Sequence, residues 1–388
     1  MDVVAHRLRL TPEEFRRRNF IQRGQELAVS QVVHENVNMD RLLDRALDLS
    51  NYRQKLRRFA EENPLNSVKR GIGFAAFMHG AGFTGAGEAY IGSVAAVEAT
   101  PDGKVRVLAA STEIGQGTRT VFTQIVAEAL GIDPAHVEIA QPDTAHVPNS
   151  GPTVASRTSM IVGKLLESAA VGLGRKLHEG GQWDGQSETF ADACAAYIGR
   201  HGALKVAAEY RVPQGLQWDE QNYRGDAYGA YAWAVYVAEV SVDTLTCEIR
   251  VEDFVAVQEV GRVINPVLAI GQIEGGVAQG IGYALYENVV WREGRMINSQ
   301  MTNYIVPTSA DLPPIRVFFE EAPYEHGPGG AKGIGELPID GPAPAIVNAI
   351  ENATGISIRQ IPVMPEVLME AMEAAPISNE RGSKVVSV

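Results

Sequence analysis

Cysteine is scarce: the 388 residues contain two, Cys194 and Cys247. An iron–sulfur cluster needs four thiolates and a zinc site needs clustered ligands. This chain builds neither from cysteine, and its two thiols read as small buried hydrophobes. Basic charge is in deficit as well. Against 34 Lys and Arg stand 47 Asp and Glu, a formal net charge of −13. That balance disfavours a broad phosphate-tracking surface and, with it, nucleic acid as a partner. No apolar run approaches the roughly 18–20 residues of a membrane span, and the charged opening MDVVAHRLRLTPEEFRRRN lacks a signal-peptide core. A cytoplasmic protein with reduced thiols is the expectation. Low-complexity tracts are missing too, since 39 glycines and 20 prolines are near ordinary usage. The length suits two or three packed units.

What is present changes character along the chain. Thr11-Pro12-Glu13-Glu14 is a capped helix start, and 39–62 places Leu42, Leu43, Ala46 and Leu47 at helical spacing, so 1–65 is predicted as a helical segment. From Gly71 the period shortens. Residues 90–97 and 105–108 read as two strands around the Asp102-Gly103 turn. Gly115-Gln116-Gly117-Thr118 then opens a helix over 119–130 that Gly131 stops, and hydroxyl-rich 150–159 leads into another over 160–173. Both helix starts are expected to present free amides. The stretch 175–225 is polar and weakly periodic, which marks a boundary or insertion. Strands follow at 230–242 and 248–257, then a glycine-dotted buried helix at 270–287. A glycine-rich loop, 327–335, delivers Glu336, and Pro342-Ala343-Pro344 starts a helix ending near Gly355. The units expected are 1–65, 66–225 and 226–375, with a tail at 376–388. No internal repeat is found.

Helix N-termini with unpaired amides suit anionic groups, and glycine lets a ligand approach the backbone. Taken alone, Gly115-Gln116-Gly117 reads as a turn and 156–159 as a cap. No G-x-G-x-x-G with a following acidic residue occurs, and Gly330-Ala331-Lys332-Gly333 lacks the G-K-[ST] ending, so nicotinamide and ATP enzymes are disfavoured. The distinctive stretch is Gly329-Gly330-Ala331-Lys332-Gly333-Ile334-Gly335-Glu336, one carboxylate on a backbone made almost without side chains. From local sequence, Glu336 also suits a solvated loop or the first turn of the next helix.

Five motifs in order carry a resemblance: Gly82-Phe83-Thr84, Glu113-Ile114-Gly115-Gln116-Gly117, Pro152-Thr153-Val154-Ala155-Ser156, Asn265-Pro266 with Gly271-Gln272-Ile273-Glu274-Gly275-Gly276, and Lys332-Gly333-Ile334-Gly335-Glu336. The chain resembles the C-terminal part of the molybdenum-binding subunit of the xanthine dehydrogenase and aldehyde oxidase family, from residue 1 to about 370. That likeness implies an α+β fold of mixed and antiparallel sheets with packed helices. It implies a molybdopterin cofactor, in the cytosine dinucleotide form common in bacterial members, whose dithiolene holds the molybdenum with no side-chain ligand. Carried over position by position, it puts Ile114, Gly115, Gln116, Gly117, Thr118, Ala155, Ser156, Arg157, Thr158 and Gln272 at the cofactor. Phe83, Thr84 and Val154 resemble substrate-pocket residues, with the Phe83 ring as a stacking wall. Glu336 matches the catalytic glutamate, a general base beside the metal.

The same resemblance implies hydroxylation of an N-heteroaromatic, a purine such as xanthine or hypoxanthine or a nicotinate-like ring, with water as the oxygen source. An aldehyde substrate and a non-catalytic cofactor-binding or assembly subunit are the alternatives. Two cysteines cannot hold two [2Fe–2S] centres and no flavin fingerprint is visible, so iron–sulfur and FAD subunits are expected as partners. The family's earlier cofactor-binding half is not found in this sequence. A split subunit like that of nicotinate dehydrogenase is therefore expected, paired with a second molybdopterin-binding subunit in a dimer of heteromers. Gln258-Glu259-Val260-Gly261, where an aspartate before Val-Gly is common, leaves the site motifs untouched. His79 and His146 read as hydrogen-bonded histidines and not ligands. Tyr228, Tyr231, Trp233 and Tyr236 read as core or subunit contacts, while Glu61-Glu62 and Glu320-Glu321 read as solvated.

Overall fold

The computed structural model describes residues 1–374. Helices Asp2–Arg7 (α1), Pro12–Arg17 (α2), Met39–Leu49 (α3) and Tyr52–Glu62 (α4) precede the long strand Val68–Gly80 (β1). The Thr11 hydroxyl accepts the Glu14 N–H at 3.0 Å with proline at the first helical position, the cap the sequence suggested. Next come Gly87–Ile91 (α5), strands Val94–Ala99 (β2) and Val105–Leu108 (β3), helix Thr118–Leu130 (α6) and strand Val137–Ile139 (β4). After a π-turn at Thr158–Val162 lie Gly163–Glu179 (α7), Phe190–His201 (α8), Lys205–Glu209 (β5) and the two-residue strands Trp218–Asp219 (β6) and Arg224–Gly225 (β7). The chain continues with Tyr231–Asp243 (β8), Ile249–Glu259 (β9), Pro266–Leu285 (α9), Trp291–Arg292 (β10), Arg295–Met296 (β11) and Ile315–Glu320 (β12). It ends in Leu337–Asp340 (α10), Pro342–Thr354 (α11) and Pro365–Ala374 (α12).

Two four-stranded sheets organise these elements. In the first, ordered β1-β8-β9-β12, the β1, β8 and β9 neighbours are antiparallel and β12 runs parallel to β9. Helices cover both its faces. Ala345, Ile346, Ala349 and Ile350 of α11 pack on one side, and Leu42, Leu43, Ala46 and Leu47 of α3 pack on the other. Burial on both faces explains why β8 is a nearly unbroken apolar run. Gly73 lets α11 lie this close, because a Cβ there would overlap the helix backbone at Ala345 and Ala349. The second sheet, β4-β3-β2-β5, carries α6 and α7 over a separate core that includes Val97, Val107, Phe122, Val126, Leu166 and Leu173.

Several expectations shift against this frame. Tyr90 and Ile91 belong to α5, which the left-handed Gly92 (φ 56°) ends before β2 begins at Val94. The weakly periodic 175–225 stretch holds the end of α7, then α8 and β5. As an edge strand, β5 alternates exposed and half-buried residues and shows little apolar signal. The parallel strand β12 went unforeseen. Glu320 is buried there and pairs with Arg41 at 2.7 Å and with Arg45, so it is not solvated. The division expected at 225/226 falls just before β8 and runs through the first sheet, since β1 pairs with β8 along its whole length. The tail at 376–388 lies outside the described residues.

Candidate active site

Loops from both sheets meet at one place. The first sheet contributes the segment after β9 and the glycine loop before α10. The second contributes the loop into α6 and the turn at 152–158. The loop into α6 is held from within. Glu113 Oε1 accepts the N–H groups of Gly115 at 2.9 Å and Gly117 at 3.0 Å, and Oε2 accepts that of Arg119 at 3.0 Å. Burial opposes its charge, but these three donors hold its carboxyl below the usual range. The amides expected to be free at this helix start are thus occupied by Glu113. Gln116 also folds onto its loop, with Nε2 donating to the Thr112 carbonyl at 2.8 Å and the Thr118 hydroxyl at 2.9 Å.

The turn at 152–158 is strained. Ala155 and Ser156 are consecutive non-glycine residues at φ 53° and 52°, a left-handed conformation that costs roughly 1–3 kcal/mol each. Neighbours fix them there. Gly82 N–H donates to the Ala155 carbonyl at 2.9 Å. The Ser156 hydroxyl donates to Glu336 Oε2 at 2.9 Å and accepts the Glu336 N–H at 2.9 Å. Gly333 makes this approach possible, since a Cβ would overlap the Ser156 carbonyl oxygen.

Arg157 departs from its expected role. Its fully buried guanidinium donates to both Glu88 oxygens, the Ser93 hydroxyl and the carbonyls of Ser150 and Pro152, at 2.7–3.1 Å. With all five donors engaged, it holds the turn and has none to offer a ligand. Lys332 plays a matching part under the glycine loop. Its buried ammonium donates to the Tyr231 carbonyl at 2.8 Å and Glu259 Oε2 at 2.7 Å, with Glu35 at 3.1 Å. Burial pushes the Glu259 carboxyl up, and Lys332 opposes that push. Glu259, part of the departure from the family pattern, therefore anchors the loop that presents Glu336.

Between these loops is a cavity of about 390 Å³. Ile114, Gln116, Thr118, Val154, Ala155, Ser156, Arg157, Thr158, Gln272 and Glu336 line it. Phe83 and Thr84 are not brought there. Phe83 lines a second cavity of about 530 Å³, with Tyr210, Trp218 and Tyr324, and Thr84 Oγ1 lies 2.7 Å from the hydroxyl of Tyr228, another residue of that lining. His79, which the sequence reads as a hydrogen-bonded histidine, lies beside Glu336. Its Nδ1 is 2.7 Å from Asp340 Oδ2 and its Nε2 is 3.6 Å from Glu336 Oε2. The Asp340 bond, followed by the Asp340 and Glu336 charges, outweighs desolvation and raises its pKa. His146 is exposed and pairs with Asp143.

The lining suits an oxygen-rich anionic ligand. Among the described residues the N–H groups of Ala155, Ser156, Gly333, Ile334 and Gly335 meet no acceptor, although all five residues border the cavity. No cluster of three or more His, Cys, Asp or Glu among the described residues is placed to hold a metal. No helix among them is long and apolar enough to cross a membrane.

The molybdopterin cofactor-binding domain profile matches residues 45–313. The aldehyde oxidoreductase of Megalodesulfovibrio gigas is 29% identical over 380 residues, 96% of this chain and 40% of that protein. An Escherichia coli xanthine dehydrogenase molybdenum-binding subunit is 28% identical over 393 residues, 97% of this chain and 51% of that one. The crystal structure of quinoline 2-oxidoreductase from Pseudomonas putida 86 matches with a TM-score of 0.84 at 26% identity, covering 97% of this chain and 51% of that one. The chain spans about half the length of the relatives it matches. With a cavity edged by free amides and one carboxylate, it belongs to the molybdopterin cofactor-binding domain family, in the xanthine dehydrogenase and aldehyde oxidoreductase group.

Proposed function

We propose that this chain forms one half of a molybdopterin seat and carries the general base of an enzyme that hydroxylates an N-heteroaromatic ring, a purine such as xanthine or hypoxanthine or a nicotinate-like ring. The observation that carries this is Glu336, held by Ser156 on a loop whose amides at Gly333, Ile334 and Gly335 have no acceptor. Those amides, with Ala155, Ser156 and Thr158, would hold the pterin and the phosphates of its cytosine dinucleotide form, and Gln272 would border the metal. When bound, the cofactor supplies the two-electron oxidation of a substrate carbon, with water as the oxygen source. Glu336 accepts the proton released as the new C–O bond forms, at Oε1, for which no partner is found among the described residues. Phe83, in the second, aromatic cavity, and Thr84, bonded to Tyr228 of its lining, would guide a planar substrate.

Ile114 borders the cofactor cavity yet is 79% exposed, and Val154 is 51% exposed. This apolar rim suits cover by a second cofactor-binding half, matching the share of the relatives' length that the chain does not span. Partner iron–sulfur and FAD subunits would carry the electrons onward, in a cytoplasmic dimer of heteromers. Aldehyde oxidation is the second reading, because the likeness to an aldehyde oxidoreductase is as close as that to a xanthine dehydrogenase subunit.

Elemental and pterin analysis of the purified complex, followed by Glu336→Gln, tests the reading. Molybdenum and pterin should co-purify, and the substitution should lower turnover by about 10²–10⁴-fold. A complex free of molybdenum, or undiminished turnover in the variant, sinks it. Rates on purine, nicotinate and aldehyde substrates decide between the two substrate classes.

A further inference from the structure

His79 is half-buried near the end of β1, beside Glu336, and the charges acting on it are two carboxylates, Asp340 and Glu336. On β8 its paired residue is Ala232, flanked by Tyr231 and Trp233, so no charge faces it from that strand. Behind Asp340 is the buried Tyr236 phenol, whose pKa is pushed up by burial and then by the Asp340 charge. Among the described residues, Asp340 and Glu336 are the charged partners of His79 within ion-pair distance.

We propose that His79, oriented by Asp340, relays the proton accepted by Glu336 to solvent. An ionised aspartate can only accept a hydrogen bond, so the 2.7 Å contact places the ring proton on Nδ1 and leaves the Nε2 lone pair of the neutral ring facing Glu336 Oε2 at 3.6 Å. Such contacts tighten when a site is assembled. Rotation of the protonated Glu336 carboxyl brings its O–H to Nε2. That O–H bond breaks as the Nε2–H bond forms, which leaves carboxylate and imidazolium, and the imidazolium passes the proton to water. Its side chain is 24% exposed and that of Asp340 38%, so the exit to solvent is open. The raised pKa of His79 fits a ring able to hold the proton briefly. His79 acts through Glu336, and Asp340 is its positioning residue. The inference rests on Glu336 being the base.

The coupling is read first in the full chain, by NMR titration of its imidazole C–H signals, with His79→Gln as the assignment control. His79 should titrate above its ordinary value. Its midpoint should fall in Asp340→Asn and, by less, in Glu336→Gln. A midpoint that neither substitution moves overturns the proposal. In the assembled enzyme, His79→Ala and the better-tolerated His79→Gln should each lose about 10²-fold in turnover, the low end of acid–base effects. Imidazole added to the buffer should restore the alanine variant and leave Glu336→Gln inactive. Full turnover in both His79 variants, or no rescue, overturns the relay while the base assignment stands. Full turnover in Glu336→Gln removes the base assignment instead, and the relay with it, even where the NMR coupling is present.

Discussion

Ser156 and Glu336 are bonded to each other twice, hydroxyl to carboxylate and backbone N–H to hydroxyl, both at 2.9 Å. The residues are 180 positions apart and come from the two sheets. Their pairing joins the strained turn to the glycine loop and fixes where the carboxylate sits.

Ser156→Ala removes both bonds without changing the backbone conformation required. Hydrogen bonds to charged groups are worth about 1.5–3 kcal/mol. If that energy orients Glu336, turnover in the assembled enzyme should fall by about 10- to 100-fold, with cofactor content retained. Ser156→Thr, which keeps the hydroxyl, should recover part of the loss. Equal rates for wild type and the alanine variant would show that Glu336 is oriented by something else.

The Ser156 carbonyl occupies the space that a Cβ at position 333 would need. Gly333→Ala must therefore push the glycine loop and the left-handed pair apart. Overpacking of this kind costs about 1–3 kcal/mol, and here it also opens the cavity. Lower cofactor occupancy with a modest drop in Tm is expected, measured by metal content and calorimetry. Gly271→Ala on the exposed side of α9, where an added Cβ meets no atom within 4 Å, is the control that should keep or slightly raise Tm, since alanine is the better helix former.

Much of this arrangement was legible in the sequence where the signal is local. The β8 and β9 strands, α6, α9 and α11 follow from apolar spacing and from glycine or proline at their ends, and ordered motifs brought ten of the expected residues to one cavity. Unreadable features depend on distant partners. Arg157 looked like a ligand contact because nothing near it in sequence shows that Glu88, 69 positions away, takes its guanidinium. Glu320 looked solvated because its arginines lie on α3. Strand β12 is short and pairs in parallel with β9, a contact that leaves no hairpin signature. Phe83 lies in the second cavity and Thr84 bonds to its Tyr228, 144 positions away in sequence, contacts that no local motif reveals.

The buried Arg157–Glu88 pair gives a stability prediction. Removing one partner of a buried pair strands the other, at a cost of about 3–5 kcal/mol. Glu88→Gln should lower the denaturation midpoint markedly. Arg157→Lys should do nearly as much harm, because an ammonium cannot reach two carboxylate oxygens, a hydroxyl and two carbonyls together. Chemical denaturation of the chain measures both. A midpoint unchanged in Arg157→Lys would show that its five-donor geometry is dispensable.

Glu113 gives the pH dependence. Its folded-state pKa is lowered: burial works the other way, and the N–H groups of Arg119, Gly117 and Gly115 prevail. A carboxylate lowered on folding stabilises the native state while ionised. Its contribution is fully present above the unfolded-chain value, near 4.5, and is lost as pH falls through the lower folded-state value. Glu113→Gln should therefore reduce stability at pH 7 and flatten the acid limb of the stability curve below about pH 5, so that wild type and variant converge at the acid end. Glu113 also holds the amides at the start of α6, so the substitution should slow cofactor loading. The decisive comparison is the denaturation midpoint of the two proteins from pH 7 down to pH 3. A constant gap between the curves would mean that Glu113 acts through packing, whereas a gap that closes with acid identifies the ionised carboxylate as the group that fastens this loop.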